Sequence, residues 1–452
     1  MKKFYIYVLL VLSLFLVCSC DFEINKDEKE EPIIPEVIEE KPVEEYDLKV
    51  SRLLNRVQKK ENEFVQEQNI KDELVNASFK IYSILSSDVK ENYSISPVSI
   101  YFALSLLYEI GDQTVKDEIE ELLELSSNTL SSSGLIYKDL TWSIDYGKLM
   151  GNDKSLVSQP VSLSNSVWLD NNITKQVNKE TLDTLALKHF CYAFETTFKD
   201  NNKQANKDIR EFVKEQTNGL IDNDFDLHES TLFALINTLF FTDKWLEHGN
   251  LDTSTMDFKL SDGTTVNVKD AIGKYQNGLV YENNIGSGFY AETVEGYKLF
   301  FLVPNDGHEV SELMNNEFYQ AVIKNMNNQP ERDLNIIHKT RVIFPTFNVE
   351  TAIECQEMFM NQGYLQHTFS SFNSSLILDQ EVRVSRIIHQ TNLKVDEEGI
   401  IGGAVTIIEG RATSAYAEYK YHDFVVNKNF GFVLTSFDGI IMFMGQITNP
   451  LK

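Results

Sequence analysis

Ser96 and Ser99, spaced around Pro97, and His389 far along the chain are the residues whose types could do chemistry. A serine hydroxyl deprotonated by an imidazole is the nucleophile of acyl transfer. Two features count against that use. There is no G-x-S-x-G elbow to lift a serine out of a strand-to-helix turn. A serine directly followed by proline, at the start of an apolar run, reads better as a helix N-cap with proline at the first helical position. The four cysteines, Cys18, Cys20, Cys191 and Cys355, have no paired spacing that suits zinc and are too few to staple a chain of 452 residues. No metal and no cofactor is expected. Lysine and arginine total 41 against 68 acidic residues, a formal charge of -27 that repels nucleic acid and anionic lipid surfaces. Hydrophobic residues make up 42%, which excludes disorder throughout.

A second chemistry lies at the N-terminus. Met1-Lys2-Lys3 precedes the uncharged apolar run FYIYVLLVLSLFLV at 4–17, shorter than the roughly 20 residues of a spanning helix. The run ends in Val17-Cys18-Ser19-Cys20, which resembles a bacterial lipobox. Residues 1–19 are then a signal peptide and Cys20 the lipidated first residue. From Asp21 to Val50, twelve acidic residues stand against four lysines, with Pro32, Pro35 and Pro42. Such a stretch cannot bury enough apolar surface to offset its ordering entropy. Residues 20–59 are expected to be an acidic tether, and 60–452 a single folded body. The expected location is the bacterial outer membrane, after export, by the lipid anchor alone; acidic residues following the cysteine hint at the cell surface.

The elements that would position the serines and the histidine change along the body. Leu74, Phe79, Ile81, Tyr82 and Leu85 recur at helical spacing, and Pro97 opens a helix over SIYFALSLLYEIG. Helices are expected to dominate up to about residue 220. Strands follow at 231–241, 297–304, 340–350 and 430–447, the last a hairpin turning at Asp438-Gly439. TAIECQEMF around Cys355 reads as helical, and Cys191 and Cys355 as buried thiols. The class is α+β with large buried sheets. Between Asp396 and Phe424 lie 27 residues, too long for an ordinary connection.

Several segments in order resemble the serpin family, across nearly the whole body. They are NYSISPVSI at 92–100, LSNSVWLD at 163–170, IREFVKEQTNGLI at 209–221, TLFALINTLFFTDKW at 231–245, HQTNLKVDEEGIIGGAVT at 389–406 and MFMGQITNP at 442–450. Arg210 and Phe212 stand where Asn and Trp are usual. The resemblance implies helices packed around three β-sheets with an exposed reactive-centre loop. It implies a polar cluster of Ser96, Ser99, Asn237 and His389 beneath the main sheet, where strands part to admit the loop, and Trp245 at the sheet's top, where insertion begins.

The resemblance also implies a hinge over Glu397, Glu398, Gly399, Ile400, Ile401, Gly402, Gly403, Ala404, Val405 and Thr406. In an inserting loop every second side chain enters the core. The inward set would be Ile400, Gly402, Ala404, Thr406, Ile408, Gly410 and Ala412, none charged and none proline. About ten new ladder bonds at roughly 1 kcal/mol each would drive insertion by on the order of 10 kcal/mol. Ile400-Ile401 replace the usual Thr-Glu or Ser-Glu, Gly402-Gly403 replace alanines, and Thr346 replaces a lysine that would pair with Glu397. These departures favour slower insertion. The usual family distance from Glu397 places the scissile bond at Thr413-Ser414, with Arg411 and Tyr416 as rivals. The implied activity is not enzymatic: suicide inhibition of serine, or also cysteine, endopeptidases. The expected partner is an elastase-like or subtilisin-like protease, with papain-like enzymes as a further class; Arg411 would select trypsin-like and Tyr416 chymotrypsin-like enzymes. The alternative is a serpin-fold binding protein whose loop is cleaved without trapping. A monomer is expected.

Overall fold

A computed structural model describes residues 51–52, 68–141, 160–246, 252–327, 336–384, 386–401 and 418–452. The signal peptide, Cys20, most of the tether, and Gly402, Gly403, Ala404, Val405, Thr406, Arg411, Thr413, Ser414 and Tyr416 lie outside these residues. The elements that matter for the site are helix α1 (Pro97–Ile110) and strands β1 (Val161–Asp170), β2 (Cys191–Thr196), β3 (Phe233–Phe241), β4 (Asp243–Lys244), β5 (Ile336–Phe344), β6 (Phe347–Glu354), β7 (Ile388–Val395), β8 (Gly399–Ile401) and β9 (Glu418–Val425).

Helix α1 starts where the serine-proline pair dictates. Ser96 is the N-cap, its side chain accepts from the Ser99 amide, and Pro97 occupies the first turn. A cap of this kind is worth about 1 kcal/mol. The helix is apolar nearly all round and buried along its length, so it serves as a central post rather than a surface helix.

Three main sheets pack around this post. The hairpin 430–435/441–447 is the centre of a six-stranded antiparallel sheet, buried on both faces. A second sheet runs in the order β9, β5, Thr265–Asn277, Asp252–Lys259, with β9 parallel to β5 at its edge. The third is parted. One half pairs β2, β1 and β3; the other pairs β6, β7, β8 and β4. Only Thr242 separates β3 from β4, so a single strand joins the halves at the top.

Four expectations need adjustment. The stretch 340–350 is not one strand: Pro345, which has no N–H to donate, divides β5 from β6, and the two belong to different sheets. TAIECQEMF is strand up to Glu354 and helix only over Cys355–Asn361. Here the β-branched Thr351 and Ile353 pair across to Thr391 and His389, and cross-strand packing outweighs the helical spacing. The helix-rich first half also contains β1 and β2. Within the span read as tether, Ser51–Arg52 pair with Glu195 and Phe194 of β2. Cys191 and Cys355 are both buried free thiols, burial pushing the Cys355 thiol up to about 12.

Candidate functional site: a gap in the main sheet

β3 forms its ladder with β1 along one edge, and β7 with β6 along one edge. Among the described residues their facing edges form no ladder with each other. Between them lies a cavity of about 520 Å³, walled by β3 residues such as Phe233, Leu235 and Leu239 and by β7 residues Ile388–Thr391, with Ile100, Leu104 and Leu107 of α1 beneath. At the top, β8 enters this gap and pairs antiparallel with both walls: Ile400 opposite Val395 and opposite Asp243. One strand bridging the two walls measures the gap: it is one strand wide.

The polar floor comes together as the residue types require. His389 is buried, and its Nε2 accepts from the Ser96 amide at 3.0 Å. An imidazole nitrogen accepting from a backbone N–H is unprotonated, so the proton sits on Nδ1. Burial agrees, pushing the His389 pKa down to about 4. Ser99 Oγ donates to Asn237 Oδ1, and Asn237 Nδ2 donates to Asn165 Oδ1 at 2.8 Å. Asn165 in turn donates to the His189 carbonyl at 2.8 Å. The structure therefore unites Ser96, Ser99, Asn237 and His389 through α1, β3 and β7. The His389 lone pair meets a backbone amide, not a serine hydroxyl, so no nucleophile is activated there.

Sequence reasoning missed several members. Asn165 lies directly opposite Asn237 in the ladder, inside a segment already singled out, and the register was the missing signal. Thr391 bonds Ser94 Oγ at 2.7 Å and the Ser94 carbonyl at 3.0 Å, tying β7 to the chain two residues before the cap. A separate relay was also missed: Ser133 Oγ bonds His189 Nδ1, and His189 Nε2 meets Glu109 at 3.1 Å. That hydrogen bond to His189 holds the Glu109 carboxyl down to about 2. Ser133 is 1% exposed and no substrate carbonyl reaches it, so the relay ties helices rather than turns over a substrate.

At the top of the gap, a tight turn joins β7 to β8. Asp396 Oδ1 accepts from the amides of Glu398 at 3.0 Å and Gly399 at 3.2 Å, and the Asp396 amide donates to the Gly399 carbonyl at 3.0 Å. Trp245, 1% exposed, donates from Nε1 to the Asp396 carbonyl at 2.8 Å and from its backbone to the Glu398 carbonyl at 3.2 Å. Gly399 is dictated by space: an added Cβ would stand 2.2 Å from the Asp243 carbonyl. Ile400 is fully buried, the first of the inward set, whereas Glu397 and Glu398 are exposed. Burying an isoleucine contributes about 2 kcal/mol to holding β8. Lys394 pairs with Asp396 at 3.2 Å, so the hinge turn receives its cation from β7 although Thr346 offers none. Asp243, against this turn, is pushed up to about 6 by burial.

The comparisons agree with this architecture. The family model described as serpin (serine protease inhibitor) matches residues 73–450. The chain is similar to neuroserpin of Mus musculus, 24% identical over 80% of this chain and 86% of that protein. It is also similar to alpha-1-antiproteinase of Rattus norvegicus, 22% identical over 85% and 90%. Among solved structures it resembles the thermophilic serpin tengpin in its native state, with a TM-score of 0.66, 21% identity, and coverage of 88% of this chain and 99% of that one. It resembles thyroxine-binding globulin in complex with thyroxine at a TM-score of 0.65, 17% identity, and coverage of 84% and 99%. A parted main sheet with the loop's first residues in its mouth, a polar floor under the gap and a match over nearly the whole folded body together place the chain: it belongs to the serpin family.

Proposed function

We propose that the protein inhibits endopeptidases as a suicide substrate, its loop passing from β8 into the gap between β3 and β7. The observation that carries this reading is that β8 is already the first stretch of that strand, paired on both sides. Each further residue of the loop steps one residue back along both walls. Thr406, six beyond Ile400, thus comes opposite His389, six before Val395, and opposite Asn237, six before Asp243. With Ile400 inward, Gly402, Ala404, Thr406 and Ile408 are inward too, and the Thr406 hydroxyl meets the polar floor. A protease's nucleophile would attack the Thr413 carbonyl and release the Ser414 amine. Insertion then carries the acyl-enzyme away before water hydrolyses the ester. Thr413 suits elastase-like or subtilisin-like serine proteases, with papain-like enzymes a further class.

Export and lipidation at Cys20 complete the reading, placing the inhibitor at the outer membrane on an acidic tether. A second reading, cleavage without trapping, is favoured by Gly402-Gly403, since glycine costs about 0.5–1 kcal/mol per position in a formed strand. Incubation with elastase-like, subtilisin-like, trypsin-like and papain-like enzymes, followed by denaturing gels and mass analysis, separates the two. Inhibition gives a detergent-resistant band near the summed masses and a released peptide beginning at Ser414. Complete cleavage without such a band for every enzyme leaves the second reading. Palmitate labelling lost in Cys20→Ala tests the anchor.

A further inference from the structure

His338 of β5 and His422 of β9 meet at the edge of the second sheet. The parallel register sets His338 opposite Lys420 and Thr340 opposite His422, so the two histidines are diagonal neighbours on one face. Their rings lie 24° from parallel with centroids 5.2 Å apart, and His338 Nδ1 stands 2.9 Å from His422 Nε2. Both side chains are half-exposed, open to an ion from solvent. On the opposite face of the same strand pair, Arg341 and Asp423 already make a two-pronged ion pair at 3.1 and 3.2 Å, so no carboxylate of that pair competes for the imidazoles.

Two nitrogens at that spacing are a bite. Ligands roughly 2.0 Å from a metal stand roughly 2.8 Å apart in neighbouring corners of a square-planar ion, and roughly 3.3 Å apart in a tetrahedral one. The observed 2.9 Å is the length of the hydrogen bond between the two rings and lies nearer the square value. We propose that His338 and His422 form a two-imidazole chelate for a tetragonal divalent transition ion, Cu²⁺ before Ni²⁺, that clips β9 to β5. The ion takes the place of the proton shared by the two nitrogens; in the neutral pair that proton moves to the far nitrogen of its own ring, which turns so that both lone pairs converge. Among the described residues no group of three or more His, Cys, Asp or Glu is placed to hold a metal, so water fills the remaining positions. Copper stands at the top of the affinity order for nitrogen ligands, while Mg²⁺ and Ca²⁺ prefer oxygen and are excluded. The position matters because, among the described residues, β9 is an edge strand whose ladder is with β5 alone, and it is where the chain re-enters the fold after the loop. A clip there fixes the loop's far end.

The test titrates the full chain, stripped with chelator, with Cu²⁺ and separately with Ni²⁺ and Zn²⁺. Calorimetry and electron paramagnetic resonance are the readouts. The proposal expects one Cu²⁺ per chain whose spectrum carries the splitting of two imidazole nitrogens, with Zn²⁺ weaker than Cu²⁺. His338→Asn and His422→Gln each weaken Cu²⁺ binding at least about tenfold, whereas His308→Asn, at a half-exposed histidine elsewhere, leaves it unchanged. Circular dichroism checks that the variants fold, and the wild-type spectrum stands without them. A wild-type spectrum with fewer than two imidazole nitrogens, or folded variants that bind Cu²⁺ as tightly as wild type, overturns the proposal.

Discussion

Thr406→Arg is the substitution that strikes the middle of the insertion track. If Gly402–Ile408 fill the gap, seven residues bring about fourteen backbone groups to two ladders. At a net 0.5–1 kcal/mol each this amounts to on the order of 10 kcal/mol, before Ile408 is buried. The register sets residue 406 between His389 and Asn237, over the buried Ser96 and Ser99. All four are neutral, so a guanidinium arriving there finds acceptors but no counter-charge. Its desolvation costs several kcal/mol, and Ile407 and Ile408 beyond it stay out as well. The assay has two arms: the fraction of protease trapped against loop merely cleaved, and the melting temperature before and after cleavage. Wild type is expected to rise by more than about 10 °C on cleavage. Thr406→Arg should lose most of that rise and trap at least about tenfold less protease, while Thr406→Ser, which keeps the hydroxyl, behaves as wild type. Equal trapping by Arg and Ser variants would refute the register and with it the inward assignment of Thr406.

Three further outcomes follow from the site. His389 is held neutral with a pKa near 4 against 6.5 when unfolded, so the unfolded chain binds the extra proton. Its contribution is complete above pH 6.5 and falls by about 3 kcal/mol as pH drops from 6.5 to 4, with no further loss below. Because Asp243 and Asp139, both raised to about 6, titrate in the opposite sense, the check is the difference between wild type and His389→Gln in urea melts from pH 7 to 4. That difference should shrink steadily; a constant one contradicts the assignment. Gly399→Ala should unseat β8, because its methyl would collide with the Asp243 carbonyl, and red-shift Trp245 emission as the turn leaves it. Trp245→Phe leaves the Asp396 carbonyl without its indole donor and should cost about 1–3 kcal/mol, read from the urea midpoint at constant slope.

Much of this was written in residue types, and the remainder in pairings that types do not encode. Ser96-Pro97 declared a capped helix start because capping is local, and the chain delivers that cap. The hairpin at Asp438-Gly439 was legible for the same reason, with Gly439 at φ 89. His389, Asn237 and the two serines were legible only as members of a family pattern, since nothing local says that β3, β7 and α1 converge. Asn165 and Thr391 escaped because their roles depend on which residue lies across the ladder. The helical reading of TAIECQEMF holds from Cys355 onward and not before, because pairing with β7 decides Thr351–Glu354. The Asp396 turn was missed for want of knowing that Gly399 would be pressed against β4. Local signals survive folding; cross-strand partners must be seen.

The parted sheet is the central claim, and amide hydrogen exchange along β3 and β7 tests it most directly. Before cleavage, the amides of residues 234–240 and 388–393 that point into the gap have no ladder partner among the described residues and should exchange fast, while their neighbours bonded to β1 and β6 exchange slowly. After the loop is cut, the account predicts that the gap-facing amides slow by at least about a hundredfold on both walls together. Gap-facing amides that are already slow in the uncut protein, or that stay fast after complete cleavage, would contradict it.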